Sequence, residues 1–294
     1  MTSQHGAQNG HGRTDVHHHM LPSFYLKALD LAGKDTTVFP SWTPGRSLQM
    51  MDRLGITKAI LSISSPGVWF GHDTDARRLA RSCNEYGAEL VDRHPARFGA
   101  LATLPFPDLE GAVEELAYAL DTLQLNGVLL LTNVDGRYVG DPESEALMAE
   151  LNRRKARVLL HPNHVPAEDE NAALYSWAEY PLDVARVYLR LVYNDVFVRY
   201  PDIRWILAHA GGAVPFLAER LGKAYYAKEG GLRWWRIIRD LTAKRNGGLE
   251  LAKRVSYETA GFENPVTLTA LRRLVDPEQI LFGSNFPWDS EVAA

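Results

Sequence analysis

Cysteine is nearly missing from this chain: Cys83 is the only one in 294 residues. A lone cysteine can form no internal disulfide, so a reducing, cytoplasmic setting fits. It falls in a segment of helical periodicity and reads as packing. Long apolar runs are missing too. No stretch reaches the ~18 consecutive apolar residues of a membrane-spanning helix. Charge of one sign is scarce: 32 Lys and Arg stand against 36 Asp and Glu, a net charge of −4. With no long basic run either, nothing in the chain points to nucleic acid. The N-terminal stretch is polar and glycine-rich, without the apolar core of a secretory signal. Residues 1–13 therefore read as a flexible tail, with His5 and His11 as disordered polar residues. No linker and no fixed-period repeat interrupts residues 14–294, which read as one unit.

What is present is an alternation. Short apolar, β-rich runs occur at 14–19, 59–64, 99–104, 127–132, 157–161, 204–209, 255–259 and 279–283. Several are nearly continuous, such as GVLLLT and RWILAH, as strands buried on both faces are. Helical periodicity fills the gaps at 73–93, 109–123, 142–155, 181–200, 214–227 and 265–275. Asp108 suits an N-cap, and Pro142, Pro181 and Pro265 suit first-turn positions. Eight strands alternating with helices predict an α/β chain folded as a (β/α)8 TIM-like barrel. An open doubly wound sheet is the alternative, but no G-x-G-x-x-G follows any strand. The last helical pattern precedes the eighth strand, so a full eighth helix is not expected. Another subunit or the tail would then cover strands 8 and 1, and a homodimer or homotetramer is expected.

The chemistry gathers at strand ends. The first run closes in D-V-H-H-H. Residues two apart on a strand share a side, so His17 and His19 point together and His18 points away. Two imidazoles so placed can anchor a divalent ion. His161 closes RVLLH, His209 closes RWILAH, and Asn285 follows ILFGS. A parallel barrel brings all its strand C-termini to one face. Taken singly, each histidine has a plain structural reading as a cap or turn residue; together they describe a site.

The motifs D-V-H-H-H-M-L-P, A-L-A-T-L-P, the strand-end H-P, H-A-G-G-A-V-P-F and I-L-F-G-S-N-F-P-W resemble the amidohydrolase-related aromatic acid decarboxylases. That group includes the aminocarboxymuconate semialdehyde, resorcylate, carboxyvanillate and methylsalicylate enzymes. The resemblance spans residues 15–288. It implies a distorted barrel with one divalent metal ion, zinc or manganese. His17, His19 and His161 would be ligands, and His209 would stand near the metal-bound water. Arg46 would meet the substrate carboxylate; its plain reading is a surface residue at a helix start. The chain departs from the family pattern at Asn285, where relatives carry a metal-binding Asp. An amide oxygen can touch a metal weakly but cannot act as a carboxyl acid or base. Three readings stay open: a substitution that traps a complex, a natural loss or change of activity, or proton supply by another group such as His209.

Ala208 stands where relatives often have serine, and His164 adds a loop histidine. Glu258 could orient a ligand from behind or cap a turn. Tyr25, Trp42, Trp69, Phe70, Trp177 and Trp288 are candidates to wall a planar substrate. Trp234 and Trp235 read as packing or a subunit contact. The expected function is non-oxidative decarboxylation of a small ortho-hydroxy aromatic acid. The alternatives are metal-dependent hydrolysis of a lactone or amide, or a metal-poor barrel that binds or cyclises an aromatic ligand.

Overall fold

A computed structural model describes residues 12–163, 172–222 and 248–289. His5, His11, His164, Trp234 and Trp235 lie outside the described residues, as does nearly all of the expected tail. The barrel strands are β1 (Arg13–His19), β2 (Ile56–Ser62), β3 (Phe98–Thr103), β4 (Gly127–Leu131), β7 (Arg157–His161), β8 (Arg204–Leu207), β9 (Ser256–Glu258) and β10 (Ile280–Leu281). They form one parallel sheet in the order β1-β2-β3-β4-β7-β8-β9-β10. β3 and β4 are buried at every position, as strands covered on both faces must be.

The sheet closes on itself. The Val16 N–H donates to the Phe282 carbonyl at 2.9 Å, and the His19 N–H to the Phe286 carbonyl at 2.7 Å. Asp15 locks this seam. Its Oδ1 accepts from the backbone N–H of His17 (3.1 Å) and of Ser284 (3.0 Å). Its Oδ2 accepts from Ser284 Oγ (2.6 Å) and His18 Nδ1 (2.9 Å). The carboxylate is fully buried, and its four bonds offset the loss of water. A register shift between Asp15 and His18 marks a bulge in β1, a device that re-aims side chains next to sites.

The helices are α1 (Ser23–Leu31), α2 (Pro44–Arg53), α3 (Asp73–Arg93), α4 (Leu109–Ala117), α5 (Glu145–Arg153), α6 (Ala172–Tyr193), α7 (Val196–Arg199), α8 (Val214–Gly222), α9 (Gly248–Ala252) and α10 (Pro265–Leu274). Asp108 caps α4 by accepting from the Gly111 N–H, and Asn264 caps α10 just before Pro265. Two expectations need correction. Pro181 lies inside α6, not in its first turn. The proline removes one helical donor, and its own carbonyl accepts from the Ala213 N–H at 3.2 Å. The helical run expected over 109–123 leaves α geometry after Ala117 for a π turn at Tyr118–Thr122. The sequence reading did not delimit α1 and α2, nor the hairpin of β5 (Asn133–Val134) and β6 (Arg137–Tyr138). Among the described residues, no helix follows β10, and none is long and apolar enough to cross a membrane.

Cys83 is fully buried on α3, and burial pushes its thiol far above the ordinary range. The native protein is expected not to react with a thiol reagent at pH 8, and the unfolded chain to react fully. Rapid labelling of the native protein would contradict this packing.

Candidate metal centre

Three strands deliver the site. His17 and His19 sit at the end of β1 with their Nε2 atoms 2.8 Å apart. His161 arrives from the end of β7. One ligand atom from each of the three lies within 4.8 Å of the others, a spacing that can hold one metal ion. His209 follows β8, with its ring 5.0 Å from that of His17 and 5.5 Å from that of His161. All four are buried. His18 is turned away, with Nδ1 on Asp15 and Nε2 on Ser47 Oγ at 2.8 Å.

The partners behind the rings decide which nitrogen faces inward. The Nδ1 of His17 bonds Glu258 Oε1 (2.8 Å), that of His161 bonds the Pro162 carbonyl (2.7 Å), and that of His209 bonds the Ala260 carbonyl (3.0 Å). These oxygens can only accept, given that Glu258 is ionised, so each Nδ1 carries its proton. Each Nε2 is then the nitrogen available to the centre. Behind His19, Nδ1 lies 3.2 Å from Ser62 Oγ. Metal-binding imidazoles are held from behind in this way, so the donor set fits a divalent ion.

Glu258, on β9, is the hub. Its Oε1 serves His17 Nδ1 and the His209 backbone N–H, and its Oε2 accepts from the Ala260 N–H at 2.8 Å. It thus backs a histidine and caps the turn after β9. Burial opposes its charge, but the charge and hydrogen bond of His17 outweigh burial and hold it at about 2. For His17, burial likewise opposes protonation, but Glu258 wins and raises it above the ordinary histidine value. Burial, reinforced by neighbouring imidazoles, pushes His19 and His161 well below that value. Burial also lowers His209. The centre therefore joins neutral imidazoles, which can give lone pairs to a cation, to a buried anion that favours one.

A family model described as amidohydrolase matches residues 14–293. The chain belongs to the amidohydrolase family. Among relatives of this amidohydrolase, the decarboxylase macB of Penicillium terrestre is 35% identical over 291 residues, covering 94% of this chain and 84% of that protein. The 6-methylsalicylic acid decarboxylase of Aspergillus aculeatus is 35% identical over 288 residues, with the same coverage. A solved structure of an amidohydrolase II aligns at TM-score 0.83 and 29% identity, covering 94% of this chain and 87% of that one. A dihydroxybenzoic acid decarboxylase from a Polaromonas species, solved with bound manganese, aligns at TM-score 0.74 over 94% of this chain and 87% of that one. At 22% identity it shows a shared fold alone.

The remaining candidates are placed unevenly around the amidohydrolase centre. Asn285 lies beside β1: its backbone N–H donates to the His17 carbonyl at 2.9 Å. Both Asn285 and His209 have φ of +53°, a region that non-glycine residues enter mainly where surrounding structure imposes it. Trp288 is half-buried against Phe39, ring centroids 5.1 Å apart, and its indole N–H has no partner among the described residues. Phe70 is half-buried against the core. Trp69 bonds Asp73 Oδ1 at 2.8 Å. Trp42 is buried and donates to Ser47 Oγ at 2.9 Å. Tyr25 is fully buried and its hydroxyl donates to the Gly67 carbonyl at 2.9 Å, so it serves the core. Trp177 is 83% exposed on α6 and walls nothing among the described residues. Arg46 is exposed at the head of α2, with its guanidinium on the Ser41 carbonyl and hydroxyl. Neither Asp15 nor Asp289 stands out in the sequence. The first stands two before His17 and the second four after Asn285, and that spacing was the signal available.

Gly283 shows how tightly the centre is built. A Cβ there would stand 2.0 Å from Glu258 Oε2 and 2.8 Å from His17 Cβ. Gly283→Ala is expected to displace Glu258 and to destabilise the fold by about 1–3 kcal/mol in urea unfolding. Gly45→Ala, whose nearest neighbouring atom would be 3.8 Å away, is expected to be tolerated. Equal stability of the two variants would contradict the close approach.

Proposed function

We propose that this chain is a metal-dependent, non-oxidative decarboxylase of ortho-hydroxy aromatic acids, salicylate-like or polyketide-derived. The observation that carries the reading is the convergence of His17, His19, His161 and His209, with a buried Glu258 behind His17 and His209, in a chain 35% identical to a 6-methylsalicylic acid decarboxylase. His17, His19 and His161 would hold one divalent ion, zinc or manganese, with the Asn285 amide oxygen as a weaker fourth contact. When bound, the ion supplies a Lewis acid for the phenolate and carboxylate oxygens of the substrate. The protein's residues do the rest. Phe70 and Trp288 are proposed to flank the ring, while the buried Trp42 and Tyr25 support the wall from the core. Arg46 contacts the carboxylate from the rim, where a guanidinium suits a bidentate partner.

Loss of CO2 needs a proton on the ring carbon that bears the carboxylate. The carbon–carbon bonding pair then returns to the ring as CO2 departs. Asn285 cannot give that proton. We assign that step to His209: with Nδ1 held on the Ala260 carbonyl, Nε2 first takes up a proton from solvent and then passes it to the ring carbon. The active protein is proposed to be a cytoplasmic homodimer or homotetramer.

Wild type and Asn285→Asp, each loaded with zinc or manganese, are to be incubated with 6-methylsalicylate, 2,6-dihydroxybenzoate and 5-carboxyvanillate. CO2 and the decarboxylated arene are expected in equal amounts from at least one acid. No CO2 from either form, or an acid product from a lactone or amide panel without CO2, would overturn the reading. Elemental analysis is expected to find about one ion per wild-type chain and close to none in His17→Ala. Equal metal content in the two would refute the histidine centre.

A further inference from the structure

Beyond β10 the chain folds back on itself. The Asn285 carbonyl accepts from the Trp288 N–H at 2.9 Å, and the turn returns the Asp289 side chain to Asn285. Asn285 Nδ2 donates to Asp289 Oδ2 at 2.8 Å. Asp289 is half-buried rather than a free surface charge. Its Oδ2 also lies near the loop after β9, 3.7 Å from where a Cβ on Gly261 would stand. The preceding residue of that loop, Ala260, holds His209 by its carbonyl. The charge of Asp289 acts on both His17 and His209, so it stands within electrostatic reach of the cluster.

The two ends of an amide differ in kind. The NH2 end repels a cation and the carbonyl end attracts one. Here a carboxylate captures the NH2 end in a charge-assisted bond. The Asn285 Oδ1 makes no hydrogen bond among the described residues. The backbone N–H of the same residue is pinned to the His17 carbonyl, so Asn285 is seated against the strand end that carries His17 and His19.

We infer that Asp289 is a positioning residue of the metal centre: by holding Asn285 Nδ2, it turns the amide oxygen Oδ1 toward His17 and His19. The inference rests on the metal-dependent reading above but concerns the aim of one side chain. It has a corollary. Asn285→Asp alone sets two carboxylates at hydrogen-bonding distance, where they repel. Adding Asp289→Asn restores the pair with its roles exchanged.

The test is zinc affinity of the metal-stripped protein, titrated against a chromogenic chelator. Wild type, Asp289→Ala and Asp289→Asn are compared, with thermal unfolding of each metal-free form to confirm folding. Asp289→Ala is expected to bind zinc about tenfold more weakly or worse, a typical loss when the group behind a ligand is removed. Asp289→Asn keeps an oxygen for Nδ2 and is expected to stay close to wild type. Wild-type affinity in Asp289→Ala would overturn the inference. So would an Asp289→Asn variant as weak as Asp289→Ala. If wild type binds no zinc, the metal-dependent reading and this inference fall together. If zinc binds as expected but no acid loses CO2, the proposed reaction fails and the positioning role stands.

Discussion

A carboxylate with no access to water needs positive charge or several donors around it. Glu258 has both needs met inside the barrel, and the centre is arranged around it. Isolated, a buried carboxylate carries a penalty of several kcal/mol. Here His17 Nδ1 and two backbone N–H groups, from His209 and Ala260, offset it. The consequence runs outward. With Glu258 ionised, His17 donates from Nδ1 and offers Nε2 to the interior. The anion also raises His17 above the ordinary histidine range while His19 and His161 are pushed below it. Positive charge is thus favoured at His17 among the four rings, a demand that a bound cation would meet.

The barrel's part is to hold that point still. Glu258 comes from β9, His17 from β1 and His209 from the turn after β8, so a loose seam would pull the hub apart. Asp15 closes the seam between β1 and the segment after β10 with two hydrogen bonds to Ser284, and two more within β1 hold its carboxylate in place. Gly283 lies in that segment and leaves the space that Glu258 occupies. Behind the seam, Trp42 donates to Ser47, and Ser47 bonds the outward-facing His18. Even the histidine that takes no part in the centre therefore helps to fix the strand that carries His17 and His19.

Much of this was legible in the sequence because parallel strands leave a simple trace. Strands buried on both faces show as apolar runs, and the runs ending at His19, His161 and His209 correspond to β1, β7 and β8, the last strand stopping two residues earlier at Leu207. The period of two put His17 and His19 on one side, and the shared direction of the strands brought His161 and His209 to them. Other features left weaker traces. Helix α1 is only nine residues long and buries just Tyr25 and Leu29, too short a pattern to stand out. Pro181 looked like a helix start because local chemistry favours it there, yet tertiary packing continues α6 through it. Tyr25 and Trp177 were both aromatic candidates for a substrate wall, but nothing in their local sequence told a core residue from an exposed one. Asp289 gave no sign beyond its spacing, since its pairing with Asn285 depends on a turn at φ +53°.

The position of a bound cation tests this centre most directly. Crystals grown with manganese or zinc, measured at the absorption edge of the metal, locate it without reference to activity. One anomalous peak per chain is expected, within bonding distance of the Nε2 atoms of His17, His19 and His161, with Glu258 behind His17. A peak elsewhere, or none at full metal loading, would contradict this centre.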